Sequence, residues 1–197
     1  LGTVSLGIDL AFQGYDYDDL MTVVDAVVAK KYVAPDRLFV TGGSGGGILT
    51  AWITTKTQRF AAAASIKPVI NWMTMALAAD IGQYVRRHWI RADPWSDPEA
   101  FLKHSPIRYV DKVKTPTLIM VGEEDHRTPA WEAEQYYTAL KMLEVDTALI
   151  RVPGAPHYIA SRPSRLVGKT DNIMGWFAKY DPAKKKNSES ESEDARQ

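Results

Sequence analysis

The stretch that most limits how this chain can fold is Gly42-Gly-Ser-Gly-Gly-Gly47, which follows the short apolar run Arg37-Leu-Phe-Val-Thr41 without a spacer. Helix-forming sequence from Ile48 to Thr55 comes straight after it. A strand that passes at once into a helix holds the residue at its turn, here Ser44, in a strained backbone conformation with the hydroxyl standing above the sheet. Flanking glycines let neighbouring segments approach without a side-chain clash. The amide of Gly45, at the start of the helix, can face an oxyanion as it develops. The run satisfies G-x-S-x-G. It is not a phosphate loop, because no Lys-Ser or Lys-Thr pair follows the glycines, and it is not a dinucleotide fingerprint, because the third glycine of that pattern would be Ile48. A flexible loop or an anion nest is the bland alternative.

A serine hydroxyl needs a base, and the base needs an acid to fix its tautomer. The rest of the chain supplies both at comparable places. Ala61–Ile66, Thr117–Val121 and Thr147–Val152 read as further strands, the last two followed by Gly122-Glu-Glu-Asp125 and Pro153-Gly-Ala-Pro-His157. Ser44, Asp125 and His157 therefore each follow the C-terminal end of a strand, where open parallel sheets gather functional groups. Their order, Ser then Asp then His, is that of the α/β-hydrolase fold. Glu123 and Glu124 stay open as substitutes for Asp125 if the loop register differs. His126 adjoins the acid and should face solvent, and His88 and His104 have no strand-end context.

The intervening sequence reads as helices. Leu20, Val23, Val24, Val27 and Val28 recur at helical spacing, with Asp16, Asp18 and Asp19 at the start and Lys30 and Lys31 at the end. Thr128 to Leu143 is a second helix, with Pro129 in its first turn and Trp131, Tyr136, Leu140 and Leu143 as a candidate buried stripe. Residues 165–179 form a last amphipathic helix. Residues 1–15 are glycine-spaced and read as a leading loop. Residues 68–110 read as irregular, with short helical pieces. Trp72, Tyr84 and Trp89 there are candidate walls of a substrate pocket and equally candidate core residues, and Arg86 is a candidate holder of a peptide carboxylate. The hydrolase domain is expected over residues 1–180. The segment 181–197, which ends in a polar run of both charge signs, is expected to be disordered.

Composition narrows the function classes. Lys plus Arg equals Asp plus Glu at 24 each, which gives no electrostatic case for nucleic acid or an anionic membrane. There is no cysteine, so disulfide, thiolate and cysteine-zinc chemistry are excluded, and the histidines lack ligand-like spacing. No apolar run approaches the roughly 20 residues of a membrane span. The expectation is a cytoplasmic enzyme without metal or cofactor.

Several stretches together resemble the prolyl oligopeptidase family of serine peptidases, in its acylaminoacyl-peptidase-like branch. They are Tyr17-Asp-Asp-Leu20, Ala34-Pro-Asp-Arg-Leu-Phe-Val-Thr-Gly-Gly-Ser-Gly-Gly-Gly47, Lys67-Pro68, Gly122-Glu-Glu-Asp-His-Arg-Thr-Pro129, Glu134-Gln-Tyr-Tyr-Thr-Ala-Leu-Lys141 and Val152-Pro-Gly-Ala-Pro-His157. The resemblance implies an α/β-hydrolase domain that cleaves peptide or acyl-aminoacyl bonds, with Ser44, Asp125 and His157 as its triad. It implies that Arg37–Thr41 is the fifth of eight strands. It also implies that the earlier strands, a second oxyanion donor and, in many members, a β-propeller belong upstream of the matching segment. The chain is thus expected to be a partial α/β-hydrolase fold that self-associates or is completed by an N-terminal part. A small-ester carboxylesterase and a catalytically silent fragment are the rival readings.

Overall fold

The computed structural model describes residues 15–183. The leading loop, but for Tyr15, and the polar run from Lys184 lie outside this range. The described residues form one parallel sheet of four strands in the order β1-β2-β3-β4: β1 (Phe39–Gly43), β2 (Ala62–Ile66), β3 (Thr117–Gly122) and β4 (Thr147–Val152). Parallel neighbours need crossovers, and helices supply them. α2 (Gly45–Lys56) joins β1 to β2 and α5 (Ala130–Met142) joins β3 to β4, while α1 (Tyr15–Ala29) precedes β1 and α6 (Pro163–Lys179) follows β4. Between β2 and β3 lie α3 (Trp72–Ala78), a helical run over residues 82–90 and α4 (Pro98–Leu102).

β3 shows why its sequence is a continuous apolar run. Ile119 and Val121 pack toward Ala51 of α2 and Tyr136 and Leu140 of α5. Leu118 and Met120 pack toward Ile173, Trp176 and Phe177 of α6. Both faces are covered, so alternation is lost and all six residues are buried. The Tyr136 hydroxyl lies wholly inside, 3.0 Å from Thr54 Oγ1, and burial pushes its pKa up to about 12.

One expectation changes. The stripe drawn through Trp131, Tyr136, Leu140 and Leu143 holds only at its centre: Trp131 and Leu143 are exposed, and the buried face is Glu132, Ala133, Tyr136 and Leu140. The apolar positions of α1 make no core, for no residue of that helix is buried. α1 flanks β1, the edge strand of the described sheet, and leaves an apolar groove of about 390 Å³ lined by Leu20, Met21, Val24, Phe39, Leu49 and Ile53, among others. Near the end of the described residues, Arg37 donates two hydrogen bonds to the Asp181 carboxylate at 2.8 and 2.7 Å.

α2 begins at Gly45, three residues before the apolar sequence that announced it, because the glycines themselves take up the first turn. A β-carbon on Gly47 would stand 2.3 Å from the Ile66 carbonyl oxygen, whereas one on Gly46 would meet nothing within 4 Å. Gly47→Ala is therefore expected to destabilise the fold by at least ~1–3 kcal/mol through overpacking. Gly46→Ala should stay within about 1 kcal/mol of the parent. Urea midpoints of the two variants check the contrast, and equal midpoints contradict it.

Candidate active site

Ser44 caps α2 with φ 59° and ψ −121°, a conformation that residues with a side chain rarely adopt. Its amide donates to the Ile66 carbonyl of β2 at 2.9 Å, and its own carbonyl accepts from Ile48 at 2.9 Å. The turn is thus tied to the neighbouring strand on one side and to its own helix on the other. Gly45 opens the helix, and first-turn amides have no acceptor in a preceding turn.

His157 lies just beyond β4 and spans the gap between the other two residues. Its Nε2 is 3.0 Å from Ser44 Oγ, and its Nδ1 is 2.9 Å from Asp125 Oδ2 and 3.1 Å from Oδ1. A carboxylate can only accept, so an Nδ1–H directed at Asp125 leaves the Nε2 lone pair for the serine proton. The acid is held from several sides. Asp125 Oδ1 accepts the amides of Arg127 and Thr128, each at 2.9 Å, and Oδ2 accepts the Thr128 hydroxyl at 3.0 Å. The carboxylate is fully enclosed, while the imidazole keeps 19% of its surface open. The other acids point away: Glu123 and Glu124 are exposed, and Glu123 pairs with Arg151 at 3.3 Å. His126 and His88 are exposed as well. His104 is half-buried, and burial lowers its pKa.

The candidate pocket residues separate. Trp72 is 1% exposed and sits in a core cluster with Val69, Met75, Val85 and Phe101, so it is a packing residue, not an open wall. Trp89 meets both Trp72 and Tyr84 edge-on, at 5.6 and 5.9 Å between ring centroids. Tyr84 is the exposed end of that aromatic run. Arg86 is bonded to Asp93 and Gln83, and shares an open surface hollow with Arg87 and Arg91.

Two residues of the site escaped the sequence reading. Thr128 fixes Asp125 and stands 3.4 Å from His157 Nδ1; its only sequence signal is its place three residues after the acid. Glu132 is wholly buried, although a charged residue on a helix is ordinarily a solvated one. Its Oε2 accepts the amides of Ile70 and Asn71 at 2.9 Å, and its Oε1 accepts the Thr74 hydroxyl. Asp80 adds a second tie between the two regions: its carboxylate accepts from Arg127 at 2.7 Å, and its amide donates to the His126 carbonyl at 2.9 Å. The segment after β2 is thereby fastened to the turn that carries Asp125.

Among the described residues there is no group of three His, Cys, Asp or Glu side chains able to hold a metal ion. No described helix is long and apolar enough to cross a membrane.

A parallel sheet with covered faces, a serine on a strained strand-to-helix turn, and a histidine bridging it to a buried aspartate define the α/β-hydrolase class. Residues 7–182 match the model of the prolyl oligopeptidase family, and the chain belongs to that family. It is 37% identical over 172 residues to the uncharacterized peptidase YuxL of Bacillus subtilis, covering 86% of this chain and 26% of the relative. It is 34% identical over 173 residues to the acylamino-acid-releasing enzyme of Arabidopsis thaliana, covering 84% and 22%. A solved acylaminoacyl peptidase in complex with Z-Gly-Gly-Phe-chloromethyl ketone superposes with a TM-score of 0.80 at 25% identity, covering 86% of this chain and 28% of that one. The chain spans about a quarter of the length of these relatives.

Burial is the chief cause that raises the Glu132 carboxyl above its ordinary 4.5, against the lowering effect of its three hydrogen bonds. The folded state holds this proton more tightly than the unfolded chain does. Its contribution to stability is full below the unfolded value and is lost as pH rises through the raised folded value. Gln cannot ionise and escapes that loss. The stability of Glu132→Gln relative to the parent, from urea midpoints between about pH 4 and pH 8, is expected to rise with pH. A difference that does not change with pH contradicts this.

Proposed function

We propose that this chain carries the catalytic centre of a serine peptidase that cleaves peptide or acyl-aminoacyl bonds of short peptides through an acyl-enzyme. Ser44 is the nucleophile, His157 the general base and acid, and Asp125 the group that orients it. One observation carries the reading: a single imidazole lies 3.0 Å from the serine oxygen and 2.9 Å from a carboxylate oxygen. Membership of a peptidase family supports it, as does the likeness to an acylaminoacyl peptidase in complex with a peptide-derived compound.

The chemistry follows from the geometry. His157 Nε2 takes the proton of Ser44 Oγ as the oxygen attacks the carbonyl carbon. The imidazolium is stabilised by Asp125, whose position does not depend on the imidazole because backbone amides and Thr128 already fix it. The Gly45 amide faces the oxyanion, and one such donor contributes about 3–4 kcal/mol to the transition state. His157 then gives its proton to the leaving amine. Water repeats the sequence: its proton goes to His157 and its oxygen to the acyl carbon, which releases the acid and restores Ser44.

Ester hydrolysis would use the same three residues, and the family favours the peptide bond. β1 stands at the edge of the sheet that the described residues form, which supports a further part of the proposal, in which a second copy or an N-terminal part of the protein pairs with that strand. The cysteine-free composition suits a cytoplasmic place of work.

A fluorophosphonate probe is expected to label the parent chain, with the adduct mapped to Ser44 by peptide mass spectrometry. Ser44→Ala should not label. Labelling of Ser44→Ala as strong as that of the parent overturns the assignment.

A further inference from the structure

A second cavity, of about 380 Å³, adjoins the Ser44 turn on the side of α6. Its walls come from Gly42 and Gly43, directly before Ser44, and from Tyr158, Ile159 and Ala160, directly after His157. Two cations line it, Lys67 and Lys169, and no acidic residue does.

Lys67 stands where β2 leaves the sheet, in a left-handed conformation with φ 54° that non-glycine residues seldom take. Its amide is spent on the Met120 carbonyl at 2.7 Å, which fixes the backbone. The side chain runs beside the nucleophile turn, with Cε 3.4 Å from where a β-carbon on Gly43 would stand. The ammonium lies 5.6 Å from the centre of the Tyr158 ring. Among the described residues no carboxylate lies within ion-pair distance of either lysine. Burial lowers the Lys67 pKa; the more distant charge of Asp125 opposes this, and Lys169 adds to it.

Two lysines that line one cavity and whose charges repel, with no acid among the described lining residues, are matched by an anion. Ile66, Ile159 and Ile173 supply apolar wall beside the charges. We infer that this cavity is a carboxylate subsite, which takes the C-terminal carboxylate and adjoining apolar residue of a short peptide held against Ser44. The inference rests on the peptidase reading and sharpens it. A C-terminal carboxylate lies on the side of the departing amine, and a subsite walled by the chain neighbours of Ser44 and His157 has the preferred substrates end within a residue or two of the cleaved bond.

The test uses direct binding, so that it stands apart from turnover. The lysines of the full chain are reductively methylated with carbon-13, which keeps their charge. The Lys67 and Lys169 signals are identified by their loss in Lys67→Gln and Lys169→Gln. Glycyl-phenylalanine is expected to shift both signals saturably, and glycyl-phenylalaninamide to bind about tenfold or more weakly, the scale of a lost charge-assisted contact. Lys169→Gln lies on a partly exposed helix face, where folding is not at stake, and should weaken dipeptide binding at Lys67 by a similar factor. Equal binding of the dipeptide and its amide, or shifts confined to other lysines, overturns the subsite. Acetate that binds as tightly as the dipeptide at matched ionic strength assigns the cavity to free small anions and overturns the peptide assignment. If Ser44 is not labelled by the fluorophosphonate, the peptidase reading fails while this binding result still stands.

Discussion

The carbonyl of Ile66 accepts the Ser44 amide at 2.9 Å, and the α-carbon of Gly47 passes so close to the same oxygen that a β-carbon there would stand 2.3 Å away. Strand, turn and first helical residues are locked to β2 at this point. The lock makes the strained φ of 59° at Ser44 sustainable, since a turn free to relax would lower its hydroxyl toward the sheet. The loops after β3 and β4 then bring Asp125 and His157 to the same end of the sheet. The parallel register sets those loops side by side, with Gly122 opposite Val152.

Asp125 is fixed more firmly than His157. Asp125 is held by two backbone amides and a threonine hydroxyl, all from the turn it begins. His157 has no such set of its own and takes its orientation from Asp125. A firmly held carboxylate beside a partly open imidazole suits the proposed role of His157, which alternates between accepting and giving a proton. The segment between β2 and β3, with its own small core around Trp72 and Phe101, is joined to the acid turn through Glu132 and through the Asp80–Arg127 pair. Whatever that segment contributes to substrate selection is therefore held in register with the acid.

The sequence made the four strands and the Ser44 turn legible, because local chemistry decides both: glycines permit the turn, and two covered faces demand apolar strands. Order along the chain sufficed to pair Ser44, Asp125 and His157, because strand ends in a parallel sheet converge. Tertiary context hid the rest. Glu132 reads as a surface charge, and only the folded position of the Ile70 and Asn71 amides explains its burial. Trp72 reads equally as a pocket wall and as a core residue, and only the packing of Val69, Met75 and Val85 around it decides for the core. Lys67 stands beside a proline in a family-like stretch, with nothing in the sequence to mark its left-handed backbone or the cavity it lines. The apolar spacing of α1 announced a helix correctly, yet none of its residues is buried among the described ones.

In the proposed centre, His157 is held between Ser44 and Asp125 with one Nδ1 proton directed at the carboxylate. Proton NMR of the chain in water tests this most directly, because a proton held between an imidazole and a carboxylate is strongly deshielded and protected from exchange. A far-downfield resonance is expected that survives Ser44→Ala and disappears in both Asp125→Ala and His157→Ala. A resonance that persists in Asp125→Ala, or none in the folded parent at low temperature, would contradict it.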